Sequence, residues 1–331
     1  MYEQGDWISL CGDHRKHQKI EGKTKNNLAI LLAYYKGSEY LEEQLYSIFN
    51  QSYKNYELYI SDDSSDLKTI LNQIKIKDEF KSKIFIKNRV KNLGHSSNFL
   101  TSLREIPNNY DYYAFSDQDD IWDSLKIEKS LNRLIKLNNN FPTLYGSRTE
   151  FVDSTGKNSL GKSEIFLKKP SFQNALVQNI SGGNTMIFNR KACIIIRETS
   201  KDNYIVAHDW WCYLIISGTG GQVIHDNKIS IKYRQHQNNS IGRNNSINGR
   251  IKRILGLFQG VFKNNIQVNL EVLIKNKKLL TNENLKSLDY FIKSKNTNFL
   301  KRFYYLRKAG IYRQTFLGNI GLIIAGIFNK I

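Results

Sequence analysis

Cysteine is scarce. Cys11, Cys193 and Cys212 are the only three in 331 residues. They are too few, odd in number and too widely spaced for a disulfide framework or a four-ligand zinc site. That scarcity predicts a reducing, cytoplasmic compartment. Long apolar runs are missing as well. Nothing approaches the ~18 apolar residues of a membrane-spanning helix, and the longest candidate, Leu317 to Phe328, is interrupted by Gly318 and Asn319. Residues 1–26 are polar and charged apart from Ile8 to Cys11, so they lack the apolar stretch of a secretory signal. A soluble or membrane-peripheral protein is expected.

Acidic residues are in deficit, with 30 Asp and Glu against 49 Lys and Arg, a net +19. Residues 251–331 hold 15 basic residues against Glu271, Glu283 and Asp289, which accounts for +12 of the excess. A basic segment on a nearly balanced body suits a polyanionic surface, the alternative being an ordinary solvated face. Phe299, Leu300, Phe303, Tyr304 and Leu306 interleave with Lys301, Arg302, Arg307 and Lys308 before the apolar end. This pattern fits a helix lying in an anionic membrane interface. A nucleic-acid partner is not expected, because it would call for basic and aromatic residues spread over the body.

What is present reads as a globular enzyme-sized chain, 40% hydrophobic and 12% aromatic. Apolar runs at Leu28 to Tyr35, Tyr56 to Ser61, Lys83 to Lys87 and Tyr112 to Phe115 predict buried strands. Between and after them, residues 39–50, 67–76, 96–105 and a stretch from Leu125 to Ile135 carry helical spacing. Strands alternating with helices predict an α/β fold with a mostly parallel, doubly wound sheet. Ligands bind such sheets at the carboxyl ends of strands. Asp62-Asp63 and Ser116-Asp117-Gln118-Asp119-Asp120 both fall there. Clustered carboxylates raise one another's pKa unless a cation joins them. A divalent ion with a diphosphate resolves the conflict; the alternative is that these residues merely cap helices.

Residues 27–245 resemble family 2 glycosyltransferases of the GT-A fold, in the bacterial polysaccharide branch with many rhamnosyltransferases. The matching stretches are Tyr34-Tyr35-Lys36-Gly37, Gln44 through Gln51-Ser52-Tyr53, Ser61-Asp62-Asp63-Ser64-Ser65-Asp66 and Asn92-Leu93-Gly94. They continue through Ser116-Asp117-Gln118-Asp119-Asp120-Ile121-Trp122, Ser181-Gly182-Gly183-Asn184-Thr185-Met186 and His208-Asp209-Trp210-Trp211 to Tyr233-Arg234-Gln235-His236-Gln237-Asn238-Asn239. Gly310-Ile311-Tyr312-Arg313-Gln314 is also similar to that branch. One loop departs: where the family has Thr-Tyr-Asn-Gly, Gly37 keeps the turn but the small hydroxyl and the amide are gone.

The resemblance implies an inverting transferase that uses a nucleotide-diphospho-sugar, Mg²⁺ or Mn²⁺, and a growing glycan on a polyprenyl carrier. It places Asp63 on the donor base with Asp62 beside it, and Tyr34, Asn92 and Gly94 on the donor side. Asp117 and Asp119 should hold ribose and metal, with Asp120 a further metal candidate. Asp209 maps onto the catalytic base, which buried surroundings could tune; as an isolated residue it reads equally as a helix N-cap. His208, Trp210 and Trp211 should wall the acceptor. Gly182 and Gly183 let backbone approach sugar or acceptor, unless they form an ordinary turn. Arg234, His236 and Asn238 share one side of an extended segment, with Arg234 suited to diphosphate and His236 to metal.

The expected organisation is an appendage at 1–26, a nucleotide-sugar half at 27–140, an acceptor-side half at 141–245 and a basic helical region at 246–331. The alternative to membrane docking is that Leu317 to Phe328 packs on the catalytic body or forms a homodimer contact. A sugar nucleotidyltransferase would want a Gly-rich basic loop after the first strand, which Lys36-Gly37 does not supply. A catalytically dead binding protein would not need both Asp117 to Asp120 and Asp209.

Overall fold

Strand β2 (Leu28–Tyr34) is apolar on both faces because both faces are covered. Its odd and even residues feed two separate cores: Ala29 and Leu31 join one, and Leu28, Ile30 and Leu32 join the other. The computed structural model describes residues 6–11, 26–138, 140–236, 260–295 and 297–331. Asn238, most of residues 1–26 and residues 246–259 lie outside them.

The described elements of the first part are β1 (Ile8–Ser9), β2, α1 (Ser38–Phe49), β3 (Tyr56–Asp62), α2 (Leu67–Gln73), α3 (Asp78–Lys81), β4 (Ile84–Asn88), α4 (His95–Glu105) and β5 (Tyr112–Ser116). After them come β6 (Ile121–Trp122), α5 (Lys126–Leu134), β7 (Thr143–Val152), β8 (Ser159–Lys162), α6 (Phe172–Ala175), β9 (Ile187–Asn189), α7 (Arg190–Ser200), α8 (His208–Gly218) and β10 (Gln222–Arg234). The chain closes with α9 (Val261–Lys275), α10 (Asn282–Lys295), α11 (Phe299–Ala309) and α12 (Phe316–Ile327).

One sheet runs β1-β4-β3-β2-β5-β9-β7-β10-β6, with β8 paired to β7. The longer pairings, among β2 to β5 and between β7 and β10, are parallel. The short ones are antiparallel. Helices α1 and α5 cover one face through Leu41, Leu45, Ile48, Ile127 and Leu131. Helices α4, α7 and α8 cover the other, and α9, α10 and α12 extend that core through Leu270, Leu273, Phe291 and Leu322.

Two short strands depart from the expected layout. Ile8–Ser9, inside the expected appendage, pairs with β4 as an edge strand. Ile121–Trp122, directly after the acidic cluster, pairs with Ile231 and Lys232 of β10. The acidic loop is thereby pinned to the far side of the sheet. Helix α12 packs Leu322, Ala325 and Gly326 inward while Phe316 and Leu317 are 80% and 71% exposed. Among the described residues no helix is long and apolar enough to cross a membrane.

Candidate active site

Registers Tyr34↔Asp62, Leu32↔Ser116 and Ala114↔Ile187 bring several chain segments to one sheet edge. The carboxyl ends of β2, β3 and β5 lie there. Because β9 runs against β5, the Gly182–Thr185 turn that precedes it arrives at the same edge. The end of β10 brings Arg234 and His236, and the N-terminus of α8 completes the rim. Helix α1 and the turn that follows it hold the acidic loop from beneath with buried amides. Gln44 Nε2 donates to Ser116 Oγ at 2.7 Å, and Gln51 Nε2 donates to the Asp123 carbonyl at 2.7 Å.

The three loop carboxylates have different surroundings. Asp117 Oδ1 lies 3.1 Å from His95 Nε2, a half-exposed imidazole at the start of α4. Asp119 Oδ2 lies 2.7 Å from His236 Nε2, and the His236 ring stacks on Tyr40 at 4.9 Å. Burial, then the Asp117 charge, raises the Asp119 pKa, with His236 opposing. Asp120 is fully buried. Its Oδ2 accepts from Asn184 Nδ2 at 2.6 Å, and Oδ1 has no hydrogen-bond partner among the described residues. Burial and the Asp117 and Asp119 charges push its pKa well up. Nearby Lys126, also buried and 3.6 Å above the Trp122 ring, is pushed down to about 7 by burial. Asp120 therefore faces the interior, against the expectation of a metal ligand.

Asp209 sits in the first turn of α8, a helix buried along its whole length. Its Oδ1 accepts the Trp210 N–H at 2.7 Å, and the Asn179 side chain lies close enough to favour its charged form. Burial raises its pKa despite both groups and the nearby His95. Ser96 fastens this helix start to α4, accepting from His208 N and donating to the Val206 carbonyl, both at 3.2 Å. His208 stacks on Phe99 at 4.4 Å, and burial holds its pKa well below the usual range. A Cβ on Gly183 would stand 2.2 Å from His208 Nε2, so this glycine makes room for the imidazole. Gly182 precedes it, its carbonyl accepting from Thr185.

Other expected contacts are turned inward. Trp211 is fully buried with its indole N–H on Thr199, and Trp210 donates to the Ala175 carbonyl. Both indole nitrogens are thus taken up by acceptors inside the protein. Asp62 is also fully buried, capping the Ser64, Ser65 and Leu67 amides. Arg234 is 1% exposed and is taken up by Glu43 and by the Asp119 and Ser154 carbonyls. It braces the acidic loop rather than reaching for a diphosphate. Asp63 accepts the Leu93 and Gly94 amides at 3.0–3.1 Å. Asn92 Oδ1 also receives the Gly94 amide, at 2.8 Å. Gly94 has φ +78°, a conformation that requires glycine. Tyr34 is buried, its carbonyl accepting the Asp63 amide.

Among the described residues no three His, Cys, Asp or Glu side chains are grouped to hold a metal. Asp119 and His236 form a two-donor edge instead. That edge suits an ion whose other ligands are diphosphate oxygens and water.

Residues 29–201 match the pattern of glycosyl transferase family 2. The dTDP-rhamnosyl transferase RfbG of Shigella flexneri is 31% identical over 231 residues, 67% of this chain and 78% of its own. The chain belongs to glycosyl transferase family 2. The Escherichia coli UDP-Glc:alpha-D-GlcNAc-diphosphoundecaprenol beta-1,3-glucosyltransferase WfgD is 24% identical over 212 residues, 63% of this chain and 78% of its own. The crystal structure of Staphylococcus aureus TarS with UDP-GlcNAc superposes with a TM-score of 0.51 at 13% identity, covering 86% of this chain and 93% of that one. That likeness shows the fold, GT-A.

In this family 2 glycosyltransferase the divergent loop after β2 is rebuilt locally. Gln118 exchanges hydrogen bonds with the Tyr35 main chain at 2.7 and 3.0 Å, and a Cβ on Gly37 would run into its amide. Sequence reading missed His95, Asn179 and Asn184 as partners of Asp117, Asp209 and Asp120. The signal for His95 was its place directly after Asn92-Leu93-Gly94 at a helix start. Asn179 gave none, because its contact is made across the fold.

Proposed function

We propose that this glycosyltransferase moves rhamnose from a dTDP-linked donor onto a lipid-linked bacterial glycan and inverts the anomeric centre. Asp209 carries the reading: one buried carboxylate with a raised pKa stands at a rigid helix start beside the acidic edge. Such a group suits general base catalysis. The acceptor hydroxyl attacks the anomeric carbon from the side opposite the diphosphate. Asp209 takes its proton, and the bond to the diphosphate oxygen breaks with the electron pair leaving on that oxygen.

Asp63, Asn92, Gly94 and the Tyr34 main chain form the nucleotide side, and Asp117 is assigned to the ribose. Gly182, Gly183 and His208 shape the acceptor side. Asp119 and His236 would hold Mg²⁺ or Mn²⁺, whose charge offsets that gathered by the departing diphosphate. The rhamnose assignment is supported by the relative named a dTDP-rhamnosyl transferase. The lipid carrier is supported by the relative whose name specifies a diphosphoundecaprenol acceptor.

The reading extends to location, on the inner face of the plasma membrane. Phe316, Leu317 and Leu300 are exposed, and so are Lys301, Arg307 and Lys308 of α11, greasy and basic side chains suited to anionic lipid. The test of donor choice is a screen of purified protein with dTDP-rhamnose, UDP-glucose and UDP-galactose, each with Mg²⁺ or Mn²⁺. Nucleoside diphosphate release should be fastest from dTDP-rhamnose. Faster release from either UDP-sugar would replace the donor assignment.

A further inference from the structure

The segment between α11 and α12 is bonded along its length to the acceptor-side half. Tyr312 Oη donates to the Lys169 carbonyl at 2.7 Å and pairs with Ser171 Oγ at 2.9 Å. Arg313 Nη1 donates to the Val177 carbonyl at 3.1 Å, and Gln314 N donates to Gln178 Oε1 at 2.8 Å. Gln314 Oε1 accepts the Lys168 amide at 3.1 Å. Apart from the exposed Tyr312–Lys169 bond these are buried or half-buried, where an unmade partner is costly.

Asn174 joins this segment to the base. It is fully buried; its Nδ2 donates to the Tyr312 carbonyl at 2.9 Å and to Gln178 Oε1 at 3.1 Å. Its Oδ1 accepts from Tyr213 Oη at 3.0 Å. Tyr213 stands one helical turn after Asp209 in α8. Gln178 directly precedes Asn179, whose side chain lies beside the Asp209 carboxylate and favours its charged form. Connected buried polar groups of this kind hold one arrangement together.

We propose that residues 310–314 form a strap that positions Asp209: through Asn174 and Gln178 they set both the Asn179 contact and the helix that carries the carboxylate. This rests on the reading of Asp209 as the base. The C-terminal region then contributes to the rate at which acceptor is deprotonated as well as to where the enzyme sits. Tyr312, Gln314, Asn174 and Gln178 are positioning residues.

The test is the titration of Asp209 itself, read without substrate by ¹³C NMR of full-length protein labelled at Asp carboxyls and assigned with Asp209→Asn. The groups facing this carboxyl are the Trp210 N–H, Asn179, His95 and Asp117, with Cys212 along the same helix. The Asn179 contact lowers the Asp209 pKa, so loosening it moves the midpoint up. Gln178→Leu removes the oxygen that accepts from Gln314 N and Asn174, and should raise the midpoint by about half a unit or more. Gln178→Asn keeps a neutral accepting amide oxygen and should return it toward wild type. Gln314→Ala, which loses only side-chain bonds, serves if Gln178→Leu does not fold, and should shift the midpoint the same way. Folded strap variants in which Asp209 titrates as in wild type overturn the proposal. That outcome is independent of whether Asp209 proves to be the base.

Discussion

Asp119 and Asp120 are adjacent in sequence and opposite in situation. Asp119 reaches His236 at the rim, whereas Asp120 is enclosed with Asn184 and Lys126. Asp119→Ala should therefore lose most of the transfer rate with a nearly unchanged melting temperature. Asp120→Ala should instead lower stability by about 1–3 kcal/mol, because it strips a buried partner from Asn184. Thermal melts run beside transfer assays separate the two. A fully stable Asp120→Ala that is inactive would return Asp120 to the metal site. The sequence placed the carboxylates at strand ends because apolar runs stop there. It could not say which would be enclosed, since Asn184 comes from another part of the fold. Trp211 is the same case: an aromatic beside a candidate base reads as a wall, yet it fills the core behind the base.

Helix α8 and the Gly182–Thr185 turn form one unit. His208 is held between Phe99 and Gly183, and Asp209 follows it in the same turn. Gly183→Ala puts a methyl into the imidazole, which overpacking makes costly by about 1–3 kcal/mol. Denaturant unfolding should show that loss, and transfer should fall with it because the start of α8 moves. Wild-type stability and rate in Gly183→Ala would mean that the turn yields easily and does not hold the base. At this scale β2, β3, β5, α1 and α4 were legible, each being a run long enough to show its own periodicity. Strands β1 and β6 were not. Each is two residues long and exists only because β4 or β10 offers an edge. Helix α2 also ends earlier than its apolar pattern suggested, at Gln73.

Across the whole molecule, the C-terminal helices have two faces. Ala309, Leu322, Ala325 and Ile331 belong to the same core as helix α8. Removing residues 299–331 would uncover that core, so membrane docking is better tested by adding charge to the outer face. Phe316→Glu combined with Leu317→Glu should leave the fold intact and abolish sedimentation with anionic vesicles. Basic residues near such a surface contribute on the order of 1 kcal/mol each, which the neighbouring lysines and arginines retain in the variant. Undiminished vesicle binding by the double variant would contradict docking through this face. If the variant instead dissociates a dimer, the face is a contact between copies. The charge of this region was legible in sequence, and so was inward packing of Leu317 to Phe328 as an alternative to docking; which of its residues turn inward was not, because apolar side chains fall on every side of this helix.

Removal of the acceptor proton by Asp209 is probed most sharply with Asp209→Asn. Asn keeps the size of the side chain and remains a good partner for the helix-start amides, so folding and donor binding should persist. Transfer measured with saturating donor should fall by about 10²–10⁴-fold, the usual cost of losing a general base. Transfer at near wild-type rate in a folded Asp209→Asn protein would show that this carboxylate only caps α8 and that the base lies elsewhere.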